Sequence, residues 1–482
     1  MTKPIEISRS RQKAILVLIA VTNFTALMNT TAVTILLPVF MREFHADLIH
    51  VQWVVTAYIL ATCIVAPAVG YVSDRLSIRR TFLISVSGFA LLTFLLGCVS
   101  NLGLLIAMRA FQGILGGLIM PLTQSMIYQL FPRHRQSQAI SIWATTNLLA
   151  PTIGPSLAGI VSDLLSWRFI FWLTVPIMVI VLLVAAKLVP FYRFDEGSER
   201  PGFDWGGLIL SIAGSLALLI AFSNIASWGL ASTRVIALSL SGFALLALFF
   251  LLEGRRAHPL LEVRVFIYES FPSAVILLCV GSTLIQVSNN LLPVFLQSVL
   301  ELSTTQAALV LLPAPMCIMF VVPLMGRYYD RVGPQKLLYG IVCMGILACL
   351  LLGAIHADSA ILYVILATIV RDVGSGTFNM PATNMGMQAV PLEYTTHASA
   401  VISWIRQCVT ALVIGLGNTM VTFRTDHWQN VFADVEEGLR YKFAYSAAMD
   451  DVFHAILLLF AASLLVVYFS RSKEHRRAAK NA

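Results

Sequence analysis

At 482 residues, 58% apolar and only 12% charged, the chain is too apolar for a water-soluble domain and far too long for a single membrane anchor; soluble domains carry about a quarter charged residues. Its formal net charge is +8, yet the basic residues form no stripe or aromatic-interleaved patch of the kind nucleic acid requires, and sit instead in short blocks between apolar runs. What remains is an all-α polytopic membrane protein, and at about 20 apolar residues per crossing the chain has room for well over ten spans.

The first run begins near Ala14 and continues to Phe40, with Asn29 and several threonines inside it. No short apolar segment with a small-residue cleavage site follows the basic start, which predicts a retained first helix and not a signal peptide. Runs of spanning length fall at about 14–38, 51–72, 80–100, 103–128, 138–161, 169–190, 204–226, 232–252, 272–298, 305–326, 336–356, 359–388, 398–421 and 452–470. That is fourteen transmembrane helices, an even number, so both termini lie on one side. Lysine and arginine choose the side. With the N-terminus inside, 23 of the 32 fall in inside segments and 6 in outside loops (Arg42, Arg168, Arg234, Arg424, Arg440 and Lys442), while Arg109, Arg371 and Arg406 lie within apolar runs. Both termini are therefore expected in the cytoplasm. A missed helix would invert every later loop and spoil this segregation. The seven cysteines all lie in apolar runs without metal-ligand spacing and read as small hydrophobes. The long connections, 253–271 and 422–451, carry no sign of an attached catalytic domain. No metal-hydrolase, P-loop or serine-hydrolase motif is present, so neither an enzyme nor a cofactor is expected.

The chain also repeats itself. Gly70, Asp74 and Arg75, followed by Arg79 and Arg80, close the second run; Gly326, Asp330 and Arg331, followed by Lys336, close the tenth. Arg109, with Gln112 and Gly113, has an echo in Arg371, with Gly374 and Gly376, each within the run two later. Parallel repeats of helix bundles are a way for secondary transporters to place a substrate site at their interface. On the fifth run Ala150, Gly154 and Ala158 recur every four residues, a face for close helix packing, while Pro151 and Pro155 should bend the helix. Polar residues recur at helical spacing on the first run (Thr22, Thr25, Asn29), the ninth (Ser282, Gln286, Asn289, Asn290) and the thirteenth (Ser399, Ser403, Arg406, Thr410). With Gln112, Phe24, Met120, Phe378 and Trp404 they suggest an amphiphilic cavity lining, with interhelical hydrogen bonding as the plain alternative for any one of them.

In these stretches the sequence resembles the major facilitator superfamily, and within it the fourteen-span drug:proton antiporter branch. Gly70–Arg80 is similar to the family's motif A, Arg109–Gly117 to motif B, and Leu149–Gly159 to the antiporter motif C; 52–58, 167–176 and Arg406-Gln407 are similar to further signatures. The resemblance implies two six-helix bundles, 1–200 and 256–482, with an inserted helix pair in 201–255, working by alternating access. It implies a multipass protein of the bacterial cytoplasmic membrane, exporting an amphiphilic small molecule with protons as the coupled ion. In a double-membrane bacterium it would also imply an adaptor and an outer-membrane channel. Gly70, Asp74, Arg75, Arg79, Arg80, Asp330 and Arg331 would form gating loops, with Asp74 in contacts made in one state and broken in the other. Arg109, Gly113, Gly154, Pro155, Gly159, Arg371 and Arg406 would be structural or gating residues.

Two departures stand out. Ser77 occupies a position where the family usually has glycine, which predicts a less tight turn. In the first run the family typically has an aspartate taken as a proton or cation site, and here the residue is Asn29, which cannot titrate. Asp372 is then the obvious substitute for proton coupling. Neighbouring helix positions do not face each other, so Asp372 is not expected to neutralise Arg371 by adjacency alone. The missing aspartate and the three buried arginines also suit a second reading, a dedicated exporter or facilitator of one metabolite or lipid-like anion without ordinary proton antiport.

Overall fold

A computed structural model describes residues 8–190, 204–256, 259–268 and 270–481. Those residues form helices joined by short connections, with no strand among them. In chain order the α-helices are α1 Arg9–Ile35, α2 Leu37–Phe44, α3 Leu48–Val65, α4 Val69–Leu76, α5 Ile78–Leu96, α6 Leu102–Leu130, α7 Arg133–Leu164, α8 Arg168–Leu188, α9 Trp205–Ser223 and α10 Ile225–Trp228. They continue with α11 Thr233–Glu253, α12 Ser270–Ser298, α13 Thr304–Leu311, α14 Pro313–Val332, α15 Pro334–Gly353, α16 Ile361–Arg371, α17 Asn379–Ala389, α18 Thr395–Val431 and α19 Glu437–Asn481.

Among the described residues, thirteen helical segments are long and apolar enough to cross a membrane. They match thirteen of the fourteen expected runs one for one, and the fifth run is the exception. It is helical, as α7, but Thr145, Thr146, Asn147, Pro151 and Gly154 dilute its apolar character. Three of its polar groups are answered from α1 instead. Asn23 Nδ2 donates to Thr146 Oγ1 and to Asn147 Oδ1, both at 2.7 Å, and Thr31 Oγ1 donates to the Ala150 carbonyl at 3.2 Å.

Patterning is reversed relative to a soluble protein. Leu183, Leu240, Leu362, Leu458 and Phe469 are uncovered, whereas Thr22, Asn23, Asn29, Gln112, Gln124 and Ser125 are buried. A bilayer selects this arrangement, because an apolar exterior costs nothing in lipid and unpaired polar groups there are expensive. Several buried hydroxyls are satisfied within their own helices: Thr22, Thr25 and Ser288 each donate to the carbonyl four residues back.

The chain groups into two compact units. The first comprises Met1–Leu216, Leu245–Val265 and Val390–Trp404; its main packings are α1 on α7, α3 on α6, α5 on α6 and α5 on α8. At one end Trp167 meets the edge of Phe40 (ring centroids 5.0 Å apart), and the Arg168 guanidinium covers the Trp167 ring while pairing with Glu43 at 3.0 Å. The second unit comprises Ala217–Ala244, Phe266–Ala389 and Ile405–Ala482, with α15 on α19 and α12 on α17 and α19. It contains a π-helical turn at Asp372–Gly376. Gly374 there lies against the backbone of Met344 and Gly345, an approach a Cβ atom would block.

Candidate functional site

Arg109 is the centre of the first unit. α6 carries it inward, and nothing of it is exposed. Its Nε donates to the Val54 carbonyl of α3 (3.2 Å); Nη1 donates to Gln112 Oε1 (2.5 Å) and to Asn29 Oδ1 of α1 (3.3 Å). Gln112 Nε2 donates in turn to Asn29 Oδ1 (3.3 Å) and to Thr93 Oγ1 of α5 (2.7 Å). Two donors converging on Asn29 Oδ1 fix which way that amide points. The guanidinium carbon sits 4.3 Å from the centre of the Tyr58 ring. All of these partners are neutral. Arg109 Nη2 and Asn29 Nδ2 are buried without a hydrogen-bond partner among the described residues.

The second unit treats its corresponding arginine differently. Arg371 Nε donates to Asp372 Oδ1 at 2.8 Å, with Nη2 2.6 Å from the same oxygen, and both side chains are buried. The expectation that adjacency would not pair them fails because the helix changes pitch here. The π turn begins at Asp372, and widening the turn alters the 100° step that separates neighbours on an α-helix. Asp372, the candidate for proton coupling, is thus already engaged with a cation.

α4 makes a contact that the sequence did not announce. His397, in the first turn of α18, is buried, and its Nε2 lies 2.8 Å from Asp74 Oδ2. The Glu262 N–H donates to His397 Nδ1 at 3.1 Å, so the ring's proton is on Nε2 and is given to the carboxylate. Gly70 accommodates the imidazole, since a Cβ there would come within 2.2 Å of Nδ1. Arg75 donates to the Tyr71 hydroxyl at 2.8 Å, Arg79 to the Ala186 carbonyl, and Arg80 is exposed. The turn at Ser77 is as tight as glycine would make it, contrary to expectation. Ser77 holds φ 82°, ψ 148°, and Gly333 at the same place in the second copy holds φ 84°, ψ 157°. Beside it Arg331 is exposed and Asp330 is the third-last residue of α14.

The small-residue face of α7 packs as its spacing implies. A Cβ on Gly154 would lie 2.4 Å from Thr31 Oγ1 and 3.0 Å from the Met28 carbonyl of α1. Gly113 is pressed against the Tyr58 carbonyl in the same manner, whereas Gly159 has open space beside it. α7 runs through Pro151 and Pro155 as one helix. Of the proposed cavity lining, Phe24 and Met120 are half-buried in the first unit, and Gln286 and Asn290 half-buried and Asn289 exposed in the second. Two others are committed to packing. Trp404 donates its indole N–H to Ser215 at 2.8 Å and packs on Phe249 and Phe250, while Phe378 packs on Phe460 and over Gly281. Arg406 is half-buried in the second unit.

Tyr58, Thr93 and His397 were missed as partners. A lone histidine at the mouth of an apolar run was the one signal for His397. Also missed was a cluster in the first unit, where Arg256 pairs with Asp204 and lies 3.4 Å from the buried Glu253.

The Major Facilitator Superfamily profile matches residues 19–414. An uncharacterized MFS-type transporter, YcnB of Bacillus subtilis, is 29% identical over 80% of this chain and 81% of its own. The lincomycin resistance protein LmrB of the same organism is 28% identical over 83% of each. The fatty acid resistance protein FarB of Neisseria gonorrhoeae is 25% identical over 83% of this chain and 78% of its own. Among solved structures, the human organic anion transporter MFSD10 superposes with a TM-score of 0.63 over 95% of this chain and 99% of its own, at 13% identity, a likeness of fold. The chain belongs to the Major Facilitator Superfamily and is a multipass membrane transporter, not an enzyme.

Proposed function

We propose that the chain is a secondary active exporter of amphiphilic small molecules across the bacterial cytoplasmic membrane, with fourteen crossings, both termini inside, and transport driven by protons. In this reading 1–200 and 256–482 form the two transporting bundles and 201–255 the inserted pair. The observation that carries export is the fit of α7 to α1 through Ala150, Gly154 and Ala158, the stretch similar to the antiporter signature. Relatives named for lincomycin and fatty acid resistance support an amphiphilic cargo. The Asp74–His397 contact is the candidate gate, because a carboxylate 52% exposed can exchange its buried partner for water at low cost. Asp372 couples protons if protonation and ion pairing with Arg371 alternate during the cycle.

Uptake of a fluorescent amphiphile into energised inverted vesicles tests this. Accumulation is expected to collapse with the pH gradient; accumulation that survives would remove the proton-driven version. Arg109 favours the second reading, a carrier of one anionic metabolite or lipid-like molecule, since its partners hold no negative charge.

A further inference from the structure

The two copies of the internal repeat differ in one respect that has a chemical consequence. Arg371 has a carboxylate against it, and Arg109, its counterpart, has two amides, a carbonyl and a ring face. A guanidinium taken fully out of water needs its charge balanced as well as its N–H groups satisfied. A water molecule could satisfy Arg109 Nη2 and Asn29 Nδ2, the two unpartnered donors, but it would leave the charge. An aromatic face offsets part of that charge and offers no acceptor. The remaining chemistry, two N–H donor groups beside an unbalanced cation, is that of an anion receptor.

We propose that Arg109 and Asn29, supported by Gln112, Thr93 and Tyr58, form a binding site for one singly charged anion that takes the place of a carboxylate at position 29. Two sources have this chemistry: the acidic head group of an amphiphilic substrate, and chloride from solution. The head-group source rests on the amphiphile-carrier reading above, and the chloride source does not. With Arg109 at 0% and Asn29 at 1% exposure, the site is closed over in this conformation, so the anion enters when the surrounding helices part.

The test is equilibrium stability of the full chain in lipid nanodiscs, which needs no flux and therefore fails or succeeds apart from the export reading. In chloride-free buffer the unfolding temperature is measured while chloride is added at constant ionic strength, and separately with decanoate against its uncharged methyl ester. An upward shift with decanoate and none with the ester assigns the site to an acidic head group; a shift with chloride assigns it to an inorganic anion. Asn29→Asp supplies the carboxylate internally, and is expected to raise the unfolding temperature without added anion and to abolish the anion-dependent shift. No shift with either probe in the natural sequence, or an undiminished shift in Asn29→Asp, would overturn the proposal.

Discussion

Ser77 isolates the cost of a side chain at one backbone position. Its φ of 82° with ψ of 148° lies where only glycine goes freely, and Gly333 adopts almost the same angles in the second copy of the loop. Such a position costs a residue with a Cβ about 1–3 kcal/mol, partly offset here because Ser77 Oγ accepts from the Arg80 N–H at 3.3 Å. Ser77→Gly should therefore stabilise the protein by about 1 kcal/mol, read as a higher unfolding temperature in nanodiscs, and Gly333→Ala should do the reverse. A loss of stability in Ser77→Gly would mean that the cap outweighs the strain. The glycines divide in the same measurement. Gly113→Ala drives a methyl to 2.5 Å from the Tyr58 carbonyl and should cost about 1–3 kcal/mol, whereas Gly159→Ala enters open space and should be silent. Both glycines were equal candidates by motif. What separates them is whether a neighbouring helix happens to face each one, a property of packing between segments distant in sequence. For the same reason Asn29 was legible as a departure, but its bond to Arg109, eighty residues on, was not.

Between residue and bundle, the informative element is the π turn at 372–376. Regular helix geometry denies contact between neighbours, so a rule that serves most of this chain misreads Arg371 and Asp372, and no residue type in 371–376 compels a π turn. Gly374 and Gly376 permit it, by letting α15 and Ile318 of α14 press close. Asp372→Asn should leave Arg371 buried without its counter-charge, at a cost of about 3–5 kcal/mol. The pair can be separated from coupling by a second substitution. Arg371→Gln with Asp372→Asn removes both charges and should restore much of the thermal stability, while proton-driven accumulation stays lost if Asp372 is the coupling group. Recovery of accumulation along with stability would make the aspartate structural only. The start of α18 behaves comparably: Gly70→Ala should push His397 away from Asp74 and change the rate of substrate release more than the amount of folded protein, as should Asp74→Asn.

For the molecule as a whole the open question is whether α7 crosses the bilayer. It lacks a stretch as apolar as those of the thirteen other candidate crossings, yet its 32 residues span about 48 Å at 1.5 Å each, more than the roughly 30 Å of hydrocarbon to be crossed. Three polar groups near its middle, the Thr146 hydroxyl, the Asn147 side-chain carbonyl oxygen and the Ala150 carbonyl, are taken up by Asn23 and Thr31 of α1. A helix shielded in this way can cross without being apolar throughout, so hydropathy undercounts where interhelical hydrogen bonding replaces lipid contact. Charge supplies an independent argument. If α7 did not cross, every later connection would change sides, and Arg255, Arg256, Arg264, Arg327, Arg331 and Lys336 would face outward against the usual bias. Crossing thus requires Asn101, before α7, and Ser303, after it, to lie on the same outer side. Single cysteines placed at Asn101 and Ser303, in a chain whose seven native cysteines are replaced, should both react with a membrane-impermeant maleimide in intact cells. A third cysteine at Gln335 should react only after lysis. Labelling at 101 and 335 but not at 303 would mean that α7 stays on one side, and with it would go the fourteen-crossing topology and the placement of both termini in the cytoplasm.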